Sequence, residues 1–443
     1  MNEMTSRAGS LAVSTLLKWL LPAMLLAAAS NARADLEITI SGGETTAQPI
    51  AIVPFAAAPG LSLDVAKVVD ADLARTGSFR TLPRADMLEQ PTAPPAINLT
   101  NWRKLGMDML VVGQTKREAD GRYSVRFHLM DTVRGQQIMA YDMPAAPLEQ
   151  MRYVAHQIAD LIYEKLTGVP GAFNTKIAYV TASGIGASRK FQLVVADADG
   201  DSPHVVAISR EPLMSPVWSP DRKQLAYVGF ERGRSAIYLH TLATGQVRKL
   251  VSEKGINGSP AWSPDGRSML VTLSFETNPD IYLIDIQSGN RRRLTDHYGI
   301  DTEAAWSPDG KSIVFTSDRG GQPQIYQMSA GGGPAKRLTF EGKQNLRANY
   351  SPDGKSLVLV NSDDGRYRIA TLDLATNNLK VLSDGPLDES PSFSPNGVVI
   401  IYAAQASHSG GAELGTVSID GRVKQRFRQD GDVREPAWSP LAR

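Results

Sequence analysis

The 443-residue chain contains no cysteine. That single absence excludes disulfides, thiolate metal sites and cysteine nucleophiles. An excess of one charge is missing too: 47 lysines and arginines face 46 aspartates and glutamates, for a net charge of +1. No broad basic field is left to hold nucleic acid. The one basic run, Arg291-Arg292-Arg293, opens an expected outer strand, where positive charge discourages edge-to-edge pairing. Long apolar runs are lacking as well. Trp19 to Ala29 is about half the roughly twenty residues that a membrane-spanning helix needs. Arg7 and Lys18 precede it and Ala32-Arg33-Ala34 follows, so residues 1–34 read as an export signal cleaved near Ala34. The mature chain is expected to begin at Asp35.

Catalytic signatures are equally scarce. There is no Gly-x-Ser-x-Gly elbow, and the six histidines show no metal-ligand spacing. Gly310-Lys311-Ser312 and Gly354-Lys355-Ser356 resemble the end of a phosphate loop. Ala305 and Asn349 stand where its first glycine belongs, so both triplets read as turns. Asp197-Ala198-Asp199-Gly200-Asp201 resembles the start of a calcium loop. Its twelfth position is Ile208, which cannot ligate, and a hairpin turn is expected instead. No motif supports a cofactor or a metal, including a divalent cation in a central channel.

What the chain does have is a repeat. Trp-Ser-Pro-Asp-Gly stands at Trp262 to Gly266 and Trp306 to Gly310, with Tyr350 to Gly354 as a third copy. Degenerate copies begin at Trp218, Phe393 and Trp438, so the aromatics lie 44, 44, 44, 43 and 45 residues apart. A period in that range with strand-type filling marks a β-propeller blade. Proline presets φ, aspartate tolerates the next turn position and glycine closes the reversal without a Cβ penalty. Small or medium residues precede the aromatic (Val217, Ala261, Ala305, Asn349, Ser392 and Ala437) and suit an innermost strand near a crowded axis. Columns at Tyr227, Val271, Phe315, Leu359 and Tyr402, then at Ile237, Ile281, Ile325 and Ile369, then at Leu250, Leu294, Leu338 and Leu382 mark three further strands. Ile177 to Val180 is a second strand lacking a first, and the copy at Trp438 is a first strand lacking a second. The expectation is six four-stranded blades, with the C-terminal strand completing the first blade and closing the ring.

Ahead of the repeat the pattern is mixed α/β. Strands are expected near Ile50 to Val53, Met109 to Gly113, Tyr123 to Met130 and Gln137 to Tyr141. Helices are expected near Leu63 to Arg75 and Leu148 to Leu166, the second with Leu148, Met151, Ala155, Ile158 and Ile162 on one face. The organisation is thus signal 1–34, tail 35–48, a mixed-sheet α/β domain over 49–167, linker 168–174 and propeller 175–443. The loops before the innermost strands should gather on one rim around the central opening. They carry Asn257-Gly258-Ser259, Asp301-Thr302-Glu303, Gln344-Asn345 and Asp388-Glu389-Ser390, with Leu213, Met214 and Ile256 as apolar neighbours.

These features together resemble the TolB family, the periplasmic component of the Tol-Pal system. The likeness rests on Pro49 to Phe55, Glu164 to Gly168, Gly171-Ala172-Phe173 leading into Ile177 to Val180, Pro212 to Pro216 and Pro436 to Pro440. It implies a monomeric binding protein of the periplasm, not an enzyme. Family members take the Pal lipoprotein over the propeller mouth and present an N-terminal tail to TolA. They help to keep the outer membrane intact during division, and group A colicins exploit the Pal site. By position, the Pal-facing residues would be Leu213, Met214, Ile256, Asn257, Gly258, Thr302, Glu303, Gln344, Asn345, Asp388 and Glu389. The TolA-facing tail would be Asp35, Leu36, Glu37, Ile38, Thr39, Ile40 and Ser41, hinged at Gly42-Gly43 and either packed or released. Ile256 stands where some members place histidine, so a pH response resting on that side chain does not carry over. The alternative reading is a periplasmic carbohydrate- or peptide-binding, or hydrolase-associated, propeller.

Overall fold

A computed structural model of the chain describes residues 36–40, 47–276, 278–405 and 411–441. The expected signal, Asp35, Ser41 and the Gly42-Gly43 hinge lie outside them. The α/β part is a five-stranded sheet. Its order is Phe79–Thr81, Gln48–Ile52, Met109–Arg117, Tyr123–Asp131 and Gln136–Ala146; the first three strands are parallel and the rest antiparallel. Helices α1 (Val65–Ala74) and α3 (Met151–Thr167) cover one face, burying Ile50, Ile52, Val111, Phe127 and Leu129. The other face buries Ala51, Val53, Leu110 and Val112 with Trp102 of α2 (Leu99–Lys104). Asp64 caps α1 by accepting the Lys67 N–H at 3.0 Å. Gly168, at φ +75°, ends α3 in the left-handed conformation that glycine adopts without cost.

The sequence pattern anticipates these long elements but not Phe79–Thr81 or α2, which are too short to show a period. Leu148 also departs from expectation. It sits in a 3-10 turn ahead of α3 and is 40% exposed, while Val154 and Ala159 complete the buried face.

Among the described residues the other strands form six groups of four, the fifth and sixth bridged at Tyr367 and Leu387, with Leu36–Ile40 added to the sixth as a further edge strand. In each, the innermost strand ends at the repeat aromatic: Leu213–Trp218, Asn257–Trp262, Asp301–Trp306, Gln344–Tyr350, Leu387–Phe393 and Asp432–Trp438. The last of these pairs antiparallel with Lys176–Ser183, so the C-terminal strand lies in the first group. Packing continues around the same circle. Each apolar cluster joins two neighbouring groups, and one joins the sixth to the first through Val399, Ile401 and Leu414 against Ile177, Tyr179 and Trp438. Indole N–H groups add cross-links: Trp218 donates to the Ala437 carbonyl at 3.1 Å, and Trp306 to that of Ala261 at 3.2 Å.

The Ser-Pro-Asp-Gly turn is held by its own side chains. Ser307 Oγ donates to Asp309 Oδ1 at 2.6 Å and accepts the Ser312 N–H at 2.9 Å, while Asp309 Oδ1 accepts the Lys311 N–H at 3.0 Å. The same set recurs at Ser219, Ser263 and Ser351. Three of the outer strands are short. Arg291–Arg293, Lys336–Arg337 and Leu379–Val381 end one residue before Leu294, Leu338 and Leu382 of the expected column. No helix among the described residues is long and apolar enough to cross a membrane.

Candidate binding site at the propeller mouth

Six innermost strands surround a central cavity of about 820 Å³. Because the strands are equivalent, residues at one offset from the aromatic form a layer. Five before the aromatic stand Leu213, Asn257, Asp301, Asn345, Asp388 and Val433, all buried. Asn257 donates to the Ser235, Glu253 and Gly255 carbonyls. Asn345 bonds Gln324 and the Glu341 carbonyl. Asp301 takes a two-pronged bond from Arg319 at 2.9 and 2.7 Å. Asp388 accepts the Gly385 N–H, and burial raises its pKa. These side chains staple the rim loops from beneath. Leu213 packs in the core between the first and second groups.

Elsewhere on the rim several side chains reach solvent. Met214 is 41% exposed and Glu389 is exposed, while Gly258 and Thr302 are half-buried. Thr302 Oγ1 lies 3.2 Å from Thr272 Oγ1. Gln344, on the rim, is half-buried between Gln322 and Tyr367. Ile256 is 50% exposed. Three further apolar side chains occupy the same loops: Tyr298 at 84%, Ile300 at 47% and Phe340 at 64%. The sequence reading passed over them because they fall outside the repeat columns; exposed aromatics in the loops before the innermost strands are the signal that finds them.

The next layer narrows the channel. Ser215, Ser259, Glu303, Arg347, Ser390 and Glu435 all have φ between +48° and +57°. A bulge in every innermost strand puts them there. Glu303 accepts the Thr316 hydroxyl at 3.0 Å. Glu435 accepts Arg347 at 2.6 Å and both the N–H and the hydroxyl of Ser215. Burial alone would raise the Glu435 pKa, but Arg347 and the Ser215 bonds hold it below the ordinary range. Glu389, beside this waist, reaches solvent but is partly desolvated by the surrounding channel wall, which raises its pKa against the opposing pull of Arg347. Beyond the waist the cavity is lined by Trp262, Trp306 and Tyr350 with Pro264, Pro308 and Pro352.

Residues of cation-binding composition meet elsewhere. Asp72, His156 and Asp199 bring their ligand atoms within 4.8 Å of one another, but Arg75 and Arg152 already pair with the two carboxylates. The strand Leu36–Ile40 pairs antiparallel with Val423–Phe427 at the outer edge of the sixth group; this places the described part of the expected tail.

An α/β layer ahead of a ring of repeat sheets, with a polar-waisted channel and an apolar rim, defines a two-domain β-propeller protein. The family description "TolB beta propeller domain" matches residues 163–442, and "TolB amino-terminal domain" matches 36–138. The chain belongs to the TolB family. It is 62% identical over 418 residues to the Tol-Pal system protein TolB of Methylococcus capsulatus, covering 94% of this chain and 97% of that one. It is 58% identical over 415 residues to that of Thioalkalivibrio sulfidiphilus, covering 93% and 95%. The crystal structure of TolB from Acinetobacter baumannii superimposes with a TM-score of 0.84 at 41% identity, over 92% of this chain and 100% of that one.

Proposed function

We propose that the protein is a non-enzymatic periplasmic scaffold of the Tol-Pal system, taking the Pal lipoprotein at the mouth and TolA through the tail around Leu36–Ile40. The observation that carries the first half is the arc of exposed apolar side chains at the mouth, spread over the second to the fifth groups: Met214, Ile256, Tyr298, Ile300 and Phe340. Apolar groups clustered on loops and rimmed by polar residues favour protein association. Glu389, Thr302, Gly258, Glu303 and Gln344 supply the polar part. Leu213, Asn257, Asn345 and Asp388 act indirectly, by holding the loops that present the others. The tail assignment draws on its place at a sheet edge, where the five-residue strand pairs with a neighbour on one side only. The domain limits 49–167, 168–174 and 175–443 belong to the same reading.

Titration calorimetry with soluble Pal lacking its lipid tests it. Saturable one-to-one binding is expected, weakened at least about tenfold by combined Met214→Asp and Ile256→Asp with no change in unfolding temperature. Failure of the unaltered protein to bind overturns the Pal assignment.

A further inference from the structure

The junction between the α/β layer and the propeller contains a buried ionic cluster that takes no part in the mouth. Helix α1 contributes Asp72 and its C-cap residue Arg75, α3 contributes Arg152, His156 and Asp160, and the first propeller group contributes Asp197, Asp199 and Asp201. His156 is 2% exposed and Asp72 1%. The imidazole faces a carboxylate on each side. Its Nδ1 is 2.6 Å from Asp72 Oδ2; its Nε2 is 3.9 Å from Asp199 Oδ2 and has no hydrogen-bond partner. Arg75 lies 3.1 Å from Asp72 Oδ1. Arg152 spans Asp197 at 3.4 Å, Asp201 at 2.9 Å and Asp199, and Lys176 pairs with Asp197.

The linker is fastened to the same cluster. Asp160 accepts the N–H groups of Phe173 and Asn174 at 2.8 and 3.2 Å, and Arg75 lies over the Phe173 ring at 5.1 Å. Gly171 sits so close that a Cβ would fall 2.3 Å from Asp160 Oδ1. This junction has no room to spare.

A neutral imidazole has one N–H and one lone pair. Placed between two carboxylates, it turns that lone pair toward a negative charge whichever nitrogen bears the proton. Only the imidazolium satisfies both sides. We propose that His156 is a protonation-dependent clasp: charged, it ties α1 to the Asp197–Asp201 hairpin of the propeller; neutral, it removes that tie, leaves the hairpin to Arg152 and loosens the linker over 168–174.

The surrounding groups set the direction of the response. Burial by itself lowers the His156 pKa, but Asp72 and Asp199 outweigh burial and the opposing Arg75, and the net shift is upward. Asp199 is held low by His156, Arg75 and Arg152 in spite of burial, and burial pushes Asp160 up to about 6 against the bonds from Phe173 and Asn174. For a histidine raised on folding, the stabilisation is complete below its free value of about 6.5 and disappears as pH rises through the folded value. Ionisation of Asp160 on passing about 6 costs the folded state through burial, yet it strengthens the two linker bonds that the carboxylate accepts, so the loosening of the linker rests on His156. The depressed Asp199 loses its contribution only in strong acid. The clasp therefore holds in mildly acidic medium and loosens on the alkaline side.

The test follows the His156 ring nitrogens by NMR between pH 5 and 9. Exchange of the Phe173 and Asn174 amides, normalised to an unfolded reference, is measured alongside. Both nitrogens are expected to be protonated at pH 6, with a midpoint above 6.5, and linker protection to fall about tenfold per unit of coupling lost. His156→Gln should remove the pH dependence of protection above about pH 7, where Asp160 is already ionised. Asp199→Asn, which keeps the shape of the hairpin, should lower the His156 midpoint. A neutral His156 at pH 6, a midpoint unmoved by Asp199→Asn, or an unchanged protection profile in His156→Gln overturns the proposal.

Discussion

Arg222 occupies the turn position that glycine fills in four other repeats, at φ +62° against +70° to +76° for Gly266, Gly310, Gly354 and Gly397. A side chain in the left-handed region costs on the order of 1 kcal/mol. Arg222→Gly is therefore expected to raise stability by roughly that amount, less the entropy that glycine adds to the unfolded chain, as read by urea unfolding. At the channel waist the expectation has the opposite sign. Glu435→Gln leaves Arg347 without its carboxylate and should cost about 2 kcal/mol, reduced from the fully buried case because the Arg347 side chain is 30% exposed. Because the Glu435 pKa is depressed on folding, its contribution is present above the ordinary carboxylate value and vanishes as pH falls through the folded one. Unfolding curves of the two proteins should differ at neutral pH and converge in acid. Arg347 and Glu435 are 88 residues apart, so no local pattern announces the pair; their shared offset from the repeat aromatic is the part that a sequence displays.

The turn is the element that the chain spells out most clearly, because its bonds are local. Serine, aspartate and the backbone two to five residues onward satisfy one another. Ser307→Ala removes the hydroxyl that links Asp309 to the Ser312 N–H and is expected to cost about 1 to 2 kcal/mol in thermal unfolding. The rim loops are the contrary case. Asn257, Asn345 and Asp388 look like surface groups in sequence, yet the loops fold back over them: the two amides bond neighbouring backbone and side chains, and one Asp388 oxygen accepts the Gly385 N–H. Asn345→Ala should therefore destabilise the fold, whereas loss of Met214 from the rim should leave stability unchanged.

At the scale of the molecule, the strand Asp432–Trp438 completes the first group and buries Val433 and Trp438 between the sixth group and the first. Removing residues 432–443 exposes a sheet edge and an apolar seam at once. The truncated chain is expected to lose its cooperative unfolding transition and near-ultraviolet dichroism while keeping much of its far-ultraviolet strand signal. The ring and the α/β layer are joined by charge rather than by a broad apolar seam at the His156 cluster. This is why a proton can act there.

The sequence by itself determined the elements whose causes are local or periodic. The 44-residue repeat, the Ser-Pro-Asp-Gly reversals and the helical stripe of α3 each depend on residues within a few positions, or at a fixed spacing, of one another. Tertiary structure alone decided which rim residues face solvent, how a bulge turns six side chains into a channel waist, and that His156 of α3 stands between Asp72 of α1 and Asp199 of the propeller. Those outcomes depend on where distant segments are brought together, and on the cost of burying a polar group without a partner, which is set only once the chain has closed around it.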